Sequence, residues 1–294
     1  IISLILLFAA IALDNWFPQS WFTGWVRIVW YAIAYLPVGF PVIKEAVESI
    51  GKGEIFSEFL LMTIATIGAF AIGTTEFSPM GFLPQIAENL NISIPTAGML
   101  ITAYALGVMI GAPIMTLWFG HFPRRKALII LMGIFTLGNL FAAIAPNYWG
   151  LMGARIFTSL NHGAFFGIGS IVATSVVPKD KQASAVAMMF MGLTIANIGG
   201  VPLATWIGQN IGWRMSFALI AILGVITMLS LWKALPEGEL GQRPDVKAEL
   251  KVLTRLPVVL ALLTTVMSAG AMFTLYTYIA PSLHHITHAT PTVI

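Results

Sequence analysis

The stretch QASAVAMMFMGLTIANIGGVPLATWIGQNI, from Gln182 to Ile211, contains no charged residue. A helix needs roughly 20 residues, rising 1.5 Å each, to cross the hydrocarbon core of a bilayer. Further charge-free runs extend over Ala97–Trp118, Ala127–Ala145 and Met215–Trp232. Inside lipid only helices and closed barrels satisfy the backbone, and these runs lack the period-2 alternation of a barrel strand. The sequence therefore predicts an all-α polytopic membrane protein.

Composition supports this prediction and excludes several chemistries. Hydrophobic residues make up 58% of the 294 residues and charged residues 9%, whereas soluble domains carry about a quarter charged residues. Because there is no cysteine, disulfides, thiolate metal sites and cysteine nucleophiles are excluded. We expect no cofactor. The chain begins with Ile, shows no evident signal peptide and ends at Thr292–Ile294 in what looks like the start of another helix, so we expect a fragment.

Nine crossings are predicted, and the distribution of basic residues orients them. Twelve of the fifteen Lys and Arg residues fall in connections on one side, Arg27 and Arg214 fall on the other, and Arg155 lies within a crossing. By the positive-inside rule the first side is cytoplasmic, so the basic charge reports orientation in a bacterial inner membrane and gives no support for nucleic-acid binding. The predicted crossings are 1–13, 26–47, 57–84, 96–118, 126–145, 148–174, 183–208, 214–233 and 256–283.

Most of the chain resembles a known transporter family. The stretches that carry the resemblance are GAFAIGTTEFSPMG (68–81), SIPTAGML (93–100), YALGVMIGAP (104–113), NHGAFFGIG (161–169), GLTIANIGGVP (192–202), GWR (212–214) and YTYIAP (276–281). They resemble the major facilitator superfamily, in its arabinose-efflux-permease-like branch of drug:proton antiporters. The resemblance implies a six-helix N-terminal bundle over 57–233, a cytoplasmic linker over 234–255 and the start of a truncated C-terminal half over 256–294. The linker is either a surface-lying helix after Asp245 or a solvated connection.

The beginning of the chain resembles a different family. YLPVGFPVI (35–43) and EIFSEFLLMTIATIGAFAIG (54–73) are similar to the first membrane helices of heavy-metal P-type ATPases, which implies two extra membrane helices in residues 1–56. The two resemblances overlap at 68–73, so we expect a chimera; a natural transporter with two added helices is the alternative. The Cys-Pro-Cys site and Asp-Lys-Thr-Gly loop of the ATPases are missing, so we do not expect an enzyme.

Three ionisable residues lie well inside the predicted transporter crossings. Charged and ionisable groups are costly in lipid and are functional candidates by default. Glu76 lies in the first transporter helix, and Arg155 and His162 lie seven residues apart, on nearly one face of the fourth. Glu76 and Arg155 have similar predicted depths, so they could form a charge pair that couples proton exchange to transport; a static ion pair is the alternative. His162 could relay protons or bond Asn161 or a backbone carbonyl.

Other residues are candidates with weaker signals. Asn161, Asn197 and Tyr276 could contact a substrate; helix packing is the alternative for each Asn and an interface anchor for Tyr276. Arg124 and Arg125 partly match the gating loop of the family, although Gly120 stands where its Asp belongs.

The fifth transporter helix resembles the glycine-rich antiporter motif, in which close packing and a proline bend are expected. Its candidate residues are Gly192, Gly199, Gly200 and Pro202. We predict no metal site, because His284, His285 and His288 lie in an expected exposed loop where binding would be adventitious. The expected partners are the lipid bilayer, a small-molecule substrate and protons, and we expect a monomer.

Overall fold

The computed structural model describes residues 58–175, 177–235, 251–252 and 254–287, with isolated residues at 9, 26, 29, 30 and 33. Within these residues every regular element is helical and no strand occurs. The helices are α1 (Glu58–Gly81), α2 (Leu83–Asn89), α3 (Ile94–Phe119), α4 (Arg124–Ala143), α5 (Tyr148–Ser159), α6 (His162–Ser175), α7 (Gln182–Ile195), α8 (Val201–Ile207), α9 (Trp213–Ala234) and α10 (Leu256–Thr287).

Five of the described helical segments are long and apolar enough to cross a membrane: Ile94–Phe119, Arg124–Ala143, Tyr148–Ser175, Lys179–Ala234 and Leu256–Ile279. The predicted all-α membrane architecture is therefore confirmed. The crossing predicted at 57–84 corresponds to α1. Chain contacts divide the protein into two compact units, Ile1–Leu60 and Leu61–Ile294. The crossings predicted at 1–13 and 26–47, and most of the predicted linker, lie outside the described residues.

Counted from here on within the transporter-like part, with 57–84 as the first, the fourth crossing (148–174) is interrupted near its middle. α5 ends at Ser159 and α6 begins at His162. The amides of Leu160 and Asn161 reach back three residues, to the carbonyls of Phe157 and Thr158, each over 3.4 Å. The Asn161 carbonyl then accepts the first bond of α6, from the Phe165 amide, over 2.8 Å. The single helix predicted at 148–174 is thus two helices joined by a tighter turn, and Arg155 and His162 lie on opposite sides of the join.

The fifth and sixth crossings follow each other with almost no loop. Two π-helical turns, Ala196–Gly200 and Gly208–Gly212, widen the helix on either side of α8. The chain then turns at Gly212, whose φ of 131° favours glycine because side chains with a Cβ rarely adopt it. The separate crossings predicted at 183–208 and 214–233 are both present, and Gly212 forms the corner between them.

Close packing against α1 explains part of the glycine pattern in the fifth crossing. A Cβ at Gly192 would overlap the Thr66 carbonyl, and one at Gly200 would overlap the Thr74 hydroxyl. Small residues let two backbones approach in this way. Gly199 is exposed and a Cβ there would meet nothing among the described residues, so Gly199 takes no part in the packing against α1. Pro202 is also exposed and lies in the first turn of α8, directly after the first π-helical turn.

Arg214 ties together helix ends on the side opposite the basic loops. Its Nη1 donates to Asn89 Oδ1 over 2.7 Å, at the end of α2. Its Nε and Nη2 donate to the Ala145 carbonyl, just beyond α4, over 3.3 and 2.8 Å. Its guanidinium carbon lies 4.0 Å from the centre of the Trp213 ring. A cation bound to the free carbonyl of a helix end is favourable, so this arginine closes one end of the bundle.

Candidate functional site

Glu76 and His162 face each other between α1 and α6. The Nε2 atom of His162 lies 3.8 Å from Oε2 of Glu76. The two side chains keep 13% and 15% of their surface exposed, for His162 and Glu76 respectively. Each remains reachable although both belong to the apolar bundle. A carboxylate and an imidazole at this distance can share a proton, either directly after a small shift or through one water.

Tyr104 of α3 contacts the other side of His162. Its hydroxyl oxygen lies 3.0 Å from His162 Nδ1, and the two rings meet edge to face with centroids 5.9 Å apart. Tyr104 is 2% exposed. The imidazole thus lies between two helices, with Nδ1 at hydrogen-bond distance from Tyr104 of α3 and Nε2 facing Glu76 of α1 at 3.8 Å.

Arg155 lies deeper than this pair. It is 1% exposed, its Nη1 donates to the Thr75 carbonyl over 2.9 Å, and its guanidinium carbon lies 4.1 Å from the centre of the Tyr104 ring. Its Nε and Nη2 are buried and find no hydrogen-bond acceptor in the described part of the chain. Tyr104 therefore joins a cation on its face to a histidine at its hydroxyl, and both lie near Glu76.

The direct Glu76–Arg155 pair that the sequence suggested does not form, since the ion-pair contact of Glu76 is with His162. Arg155 instead bonds the carbonyl of Thr75, the residue before Glu76. The hydroxyl of Thr75 in turn donates to Asn139 Oδ1 of α4. Neither partner suggested for His162, Asn161 or a backbone carbonyl, is the one it has. The three predicted ionisable residues are nevertheless brought into one cluster.

The substrate-contact candidates lie in three different settings. Asn161 is fully buried, and neither its amide nitrogen nor its amide oxygen has a partner among the described residues. Asn197 lies half-buried in the first π-helical turn and donates to the Leu193 carbonyl over 2.9 Å. Tyr276 of α10 is 40% exposed, with its ring 6.1 Å from that of Phe77. The structure does not gather these three residues with Glu76.

The gating-loop and metal expectations concern residues outside this cluster. Arg124 and Arg125 form the first turn of α4 and are partly exposed, and neither side chain hydrogen-bonds or ion-pairs with another described residue. No group of three or more His, Cys, Asp or Glu residues is close enough to hold a metal within the described ranges. α10 extends to Thr287, so His284 and His285 belong to a helix and the loop expected there is wrong; His288 lies outside the described residues.

The sequence reading missed Tyr104, which connects the cluster. The available signal was its position: Tyr104 lies about ten residues, or roughly 15 Å, into α3, too deep for an interface anchor. It also missed Thr75, whose carbonyl accepts from Arg155. No side-chain pattern indicates a backbone acceptor, so only the packed structure reveals this contact.

Comparison with known proteins agrees with this architecture. The Major Facilitator Superfamily profile matches residues 65–293, and the chain belongs to that superfamily. It is 69% identical over 228 residues to the inner membrane transport protein YdhP of Escherichia coli (strain K12), covering 78% of this chain and 59% of that relative. It is 31% identical over 241 residues to a probable sugar efflux transporter of Helicobacter pylori (strain P12), covering 81% of this chain and 61% of the relative.

A solved structure shows the same fold. A bacterial homologue of the human lysosomal transporter Spinster, in an inward-facing conformation, superposes with a TM-score of 0.58 at 16% identity, covering 80% of this chain and 56% of that one. The chain therefore spans about three fifths of the length of the relatives it matches. It is an integral membrane protein, and none of these comparisons supports the alternative of a heavy-metal P-type ATPase fragment.

Proposed function

We propose that this chain supplies the proton-coupling half of a facilitator-type transporter that exports a small molecule across the bacterial inner membrane in exchange for protons. The observation that carries the proposal is the cluster of Glu76, His162, Tyr104 and Arg155. A carboxylate and an imidazole remain partly exposed, while a cation is sealed beneath them. Ionisable groups inside a membrane are expensive and mark proton or substrate pathways.

The geometry favours proton exchange at Glu76 with His162 as its partner. When Glu76 is ionised, His162 Nε2 can donate toward it, and the positive charge of Arg155, which bonds the carbonyl of the preceding residue Thr75, attracts the negative charge. When Glu76 takes up a proton, the attraction to both groups falls. A change of charge at this point can therefore bias how α1 packs against α6, which is what alternating access needs.

The substrate class stays broad. The Helicobacter pylori relative is named as a probable sugar efflux transporter, which supports a sugar. An aromatic cluster supports a drug-like compound: buried Phe77, which follows Glu76 in the chain, stacks on Phe273 of α10 at 5.4 Å and meets the exposed Tyr276 at its edge. We propose a small molecule of one of these two kinds, with the bilayer and protons as the other partners of a monomeric protein.

The chimera is a separate proposal about residues 1–56. It is supported by the family match, which begins at residue 65, and by the division of the chain after Leu60. Sequencing single long reads of the genomic locus through the codons for 68–73 tests it. Reads that continue upstream into a complete facilitator gene would show that the junction is an artefact of assembly.

Replacement of Glu76 by Gln tests the coupling proposal. Because the chain spans 59% of the Escherichia coli relative, the assay uses this chain extended by the remaining C-terminal part of that relative, reconstituted in proteoliposomes. Glu76→Gln keeps the size and removes the exchangeable charge. We expect proton-driven efflux to be lost, while binding of the transported compound stays measurable.

Glu88→Gln is the matched control, because Glu88 is an exposed carboxylate at the end of α2 and should leave efflux unchanged. The structural alternative predicts a different pattern. If Glu76 only locks α1 to α6, Glu76→Gln lowers the yield of folded protein, but the folded fraction transports at the wild-type rate per molecule. That result would exclude Glu76 as the coupling residue.

A further inference from the structure

We propose that Tyr104 is a positioning residue that selects the tautomer of His162 presented to Glu76. The inference rests on the proposed function for its importance to transport, but its structural content stands on three contacts. The Tyr104 hydroxyl is 3.0 Å from His162 Nδ1, His162 Nε2 is 3.8 Å from Glu76 Oε2, and Arg155 lies on the Tyr104 ring.

A neutral imidazole carries one proton on one of its two nitrogens, and the partner at the other nitrogen decides which. If the Tyr104 hydroxyl donates to Nδ1, the ring proton resides on Nε2, where it faces the Glu76 carboxylate. If the hydroxyl accepts, the proton resides on Nδ1 and Nε2 offers Glu76 a lone pair. A hydroxyl can do either, so the charges around it decide the outcome.

Those charges favour the first arrangement. Arg155 lies 4.1 Å above the Tyr104 ring, and a cation on the face of a phenol draws electron density from it, which makes the hydroxyl a better donor and a poorer acceptor. Glu76 on α1 favours a proton on the nitrogen that faces it. The groups around His162, namely Glu76, Tyr104 and Arg155, therefore agree on Nδ1 as acceptor and Nε2 as donor.

Through His162, Tyr104 also links the buried cation to the partly exposed Glu76. Its ring and hydroxyl are parts of one rigid side chain, 2% exposed, so the side chain cannot move relative to Arg155 without changing its bond to His162. A shift of α3 against the join between α5 and α6 would break both contacts together. The tautomer of His162 is thereby tied to the packing of the second and fourth crossings.

Nitrogen NMR of histidine tests this inference without any transport assay. The 294-residue chain contains five histidines, so selective labelling with ¹⁵N-histidine in lipid nanodiscs gives few signals, and His162→Gln identifies the one from His162. We expect the Nε2-protonated tautomer of His162 to dominate in the wild-type chain. In Tyr104→Phe, which keeps the ring on Arg155 but removes the hydroxyl, we expect the ratio of tautomers to shift by about fivefold.

Tyr148→Phe is the matched control, because it removes a hydroxyl that bonds the Thr96 carbonyl outside the cluster; the His162 signal should not change. A wild-type spectrum dominated by the Nδ1-protonated form, or an unchanged ratio in Tyr104→Phe, overturns the inference. The first of these two results overturns the inference even if the variant does not fold. If the ratio shifts but Glu76→Gln retains full proton-driven efflux, the proposed function fails and the positioning role of Tyr104 stands.

Discussion

Arg155 and Arg214 make the same two kinds of contact but differ in how many of their nitrogens have a hydrogen-bond acceptor. Each guanidinium lies on an aromatic ring, at 4.1 Å for Tyr104 and 4.0 Å for Trp213, and each donates to a backbone carbonyl. All three nitrogens of Arg214 are used. Two nitrogens of Arg155 have no acceptor among the described residues, although this arginine is the more deeply buried.

This difference distinguishes an arginine with a structural role from one whose donors are available to another group. Burying a charge whose hydrogen-bond donors are unsatisfied lowers the stability of the folded protein, so a purely structural role does not explain why Arg155 is there. A fully bonded arginine at a helix end contributes to stability directly. Arg214 therefore acts as a clamp, whereas the unpaired donors of Arg155 are consistent with a second arrangement in which it bonds a group that changes charge.

Transport gives the largest contrast between the two arginines. Charge-assisted hydrogen bonds contribute about 1.5–3 kcal/mol, which corresponds to roughly 10–100-fold. In the extended protein described above, we expect Arg155→Met to reduce proton-driven efflux by that factor. We expect Arg214→Met to leave the rate per folded molecule within about twofold. Equal losses in the two variants would contradict the assignment of distinct roles.

Arg155→Lys sharpens this result. Lysine keeps the positive charge but lacks the planar group that lies on the Tyr104 ring and reaches the Thr75 carbonyl. Recovery of efflux in Arg155→Lys would show that charge alone is sufficient. Failure to recover would show that the stacking and the Thr75 contact are needed.

Stability should change in the opposite order. Arg214→Met removes its bonds to Asn89 and Ala145, so we expect the free energy of unfolding in detergent to fall by about 2–3 kcal/mol. Arg155→Met removes a buried charge whose loss of hydration is only partly compensated, so we expect a smaller fall than for Arg214→Met. A double-mutant cycle of Arg214→Met with Asn89→Ala should show a coupling free energy of about 0.5–3 kcal/mol. Additive effects of the two substitutions would contradict a stabilising contact between these residues.

These contrasts also show what the sequence could and could not predict. Long charge-free runs predicted the crossings, because lipid allows few alternatives to a helix. The cost of ionisable groups in lipid identified Glu76, Arg155 and His162. Pairing them by depth failed for Arg155, because a long side chain can reach a carbonyl or an aromatic ring as easily as a carboxylate. The join at Leu160–Asn161 was not predicted either, because no proline marks it.

The glycine-rich segment illustrates the same limit. Sequence spacing placed Gly199 and Gly200 in one packing motif, yet only Gly200 contacts α1. Adjacent residues on a helix face directions about 100° apart, and the π-helical turn at Ala196–Gly200 changes which of them faces the neighbour. The motif predicted a close interface correctly but could not assign its members.

The pair Gly199 and Gly200 provides the smallest expected effect and bears on the arginine comparison. Gly200 packs on Phe70 and Thr74 of α1. The next two residues of α1 belong to the cluster: the Thr75 carbonyl accepts from Arg155, and Glu76 faces His162. A methyl group at Gly200 would overlap the Thr74 hydroxyl and the Phe70 ring, so we expect this part of α1 to shift outward, and such overpacking costs about 1–3 kcal/mol. We expect Gly200→Ala to lower stability by that amount and to reduce proton-driven efflux, because the Thr75 carbonyl and the Glu76 carboxylate move with the helix.

Gly199→Ala adds the same methyl group one residue away, where it meets nothing, so its effect on stability should stay within about 0.5 kcal/mol. Thermal unfolding and efflux of both variants, measured beside Arg155→Met, decide what the Gly200 interface does. If Gly200→Ala loses stability and keeps full efflux, the position of α1 is not critical for the cluster, and the unpaired donors of Arg155 must matter independently of where Thr75 lies. If Gly200→Ala loses both stability and efflux, while Gly199→Ala stays unchanged, the glycine interface and the charged cluster form one functional unit.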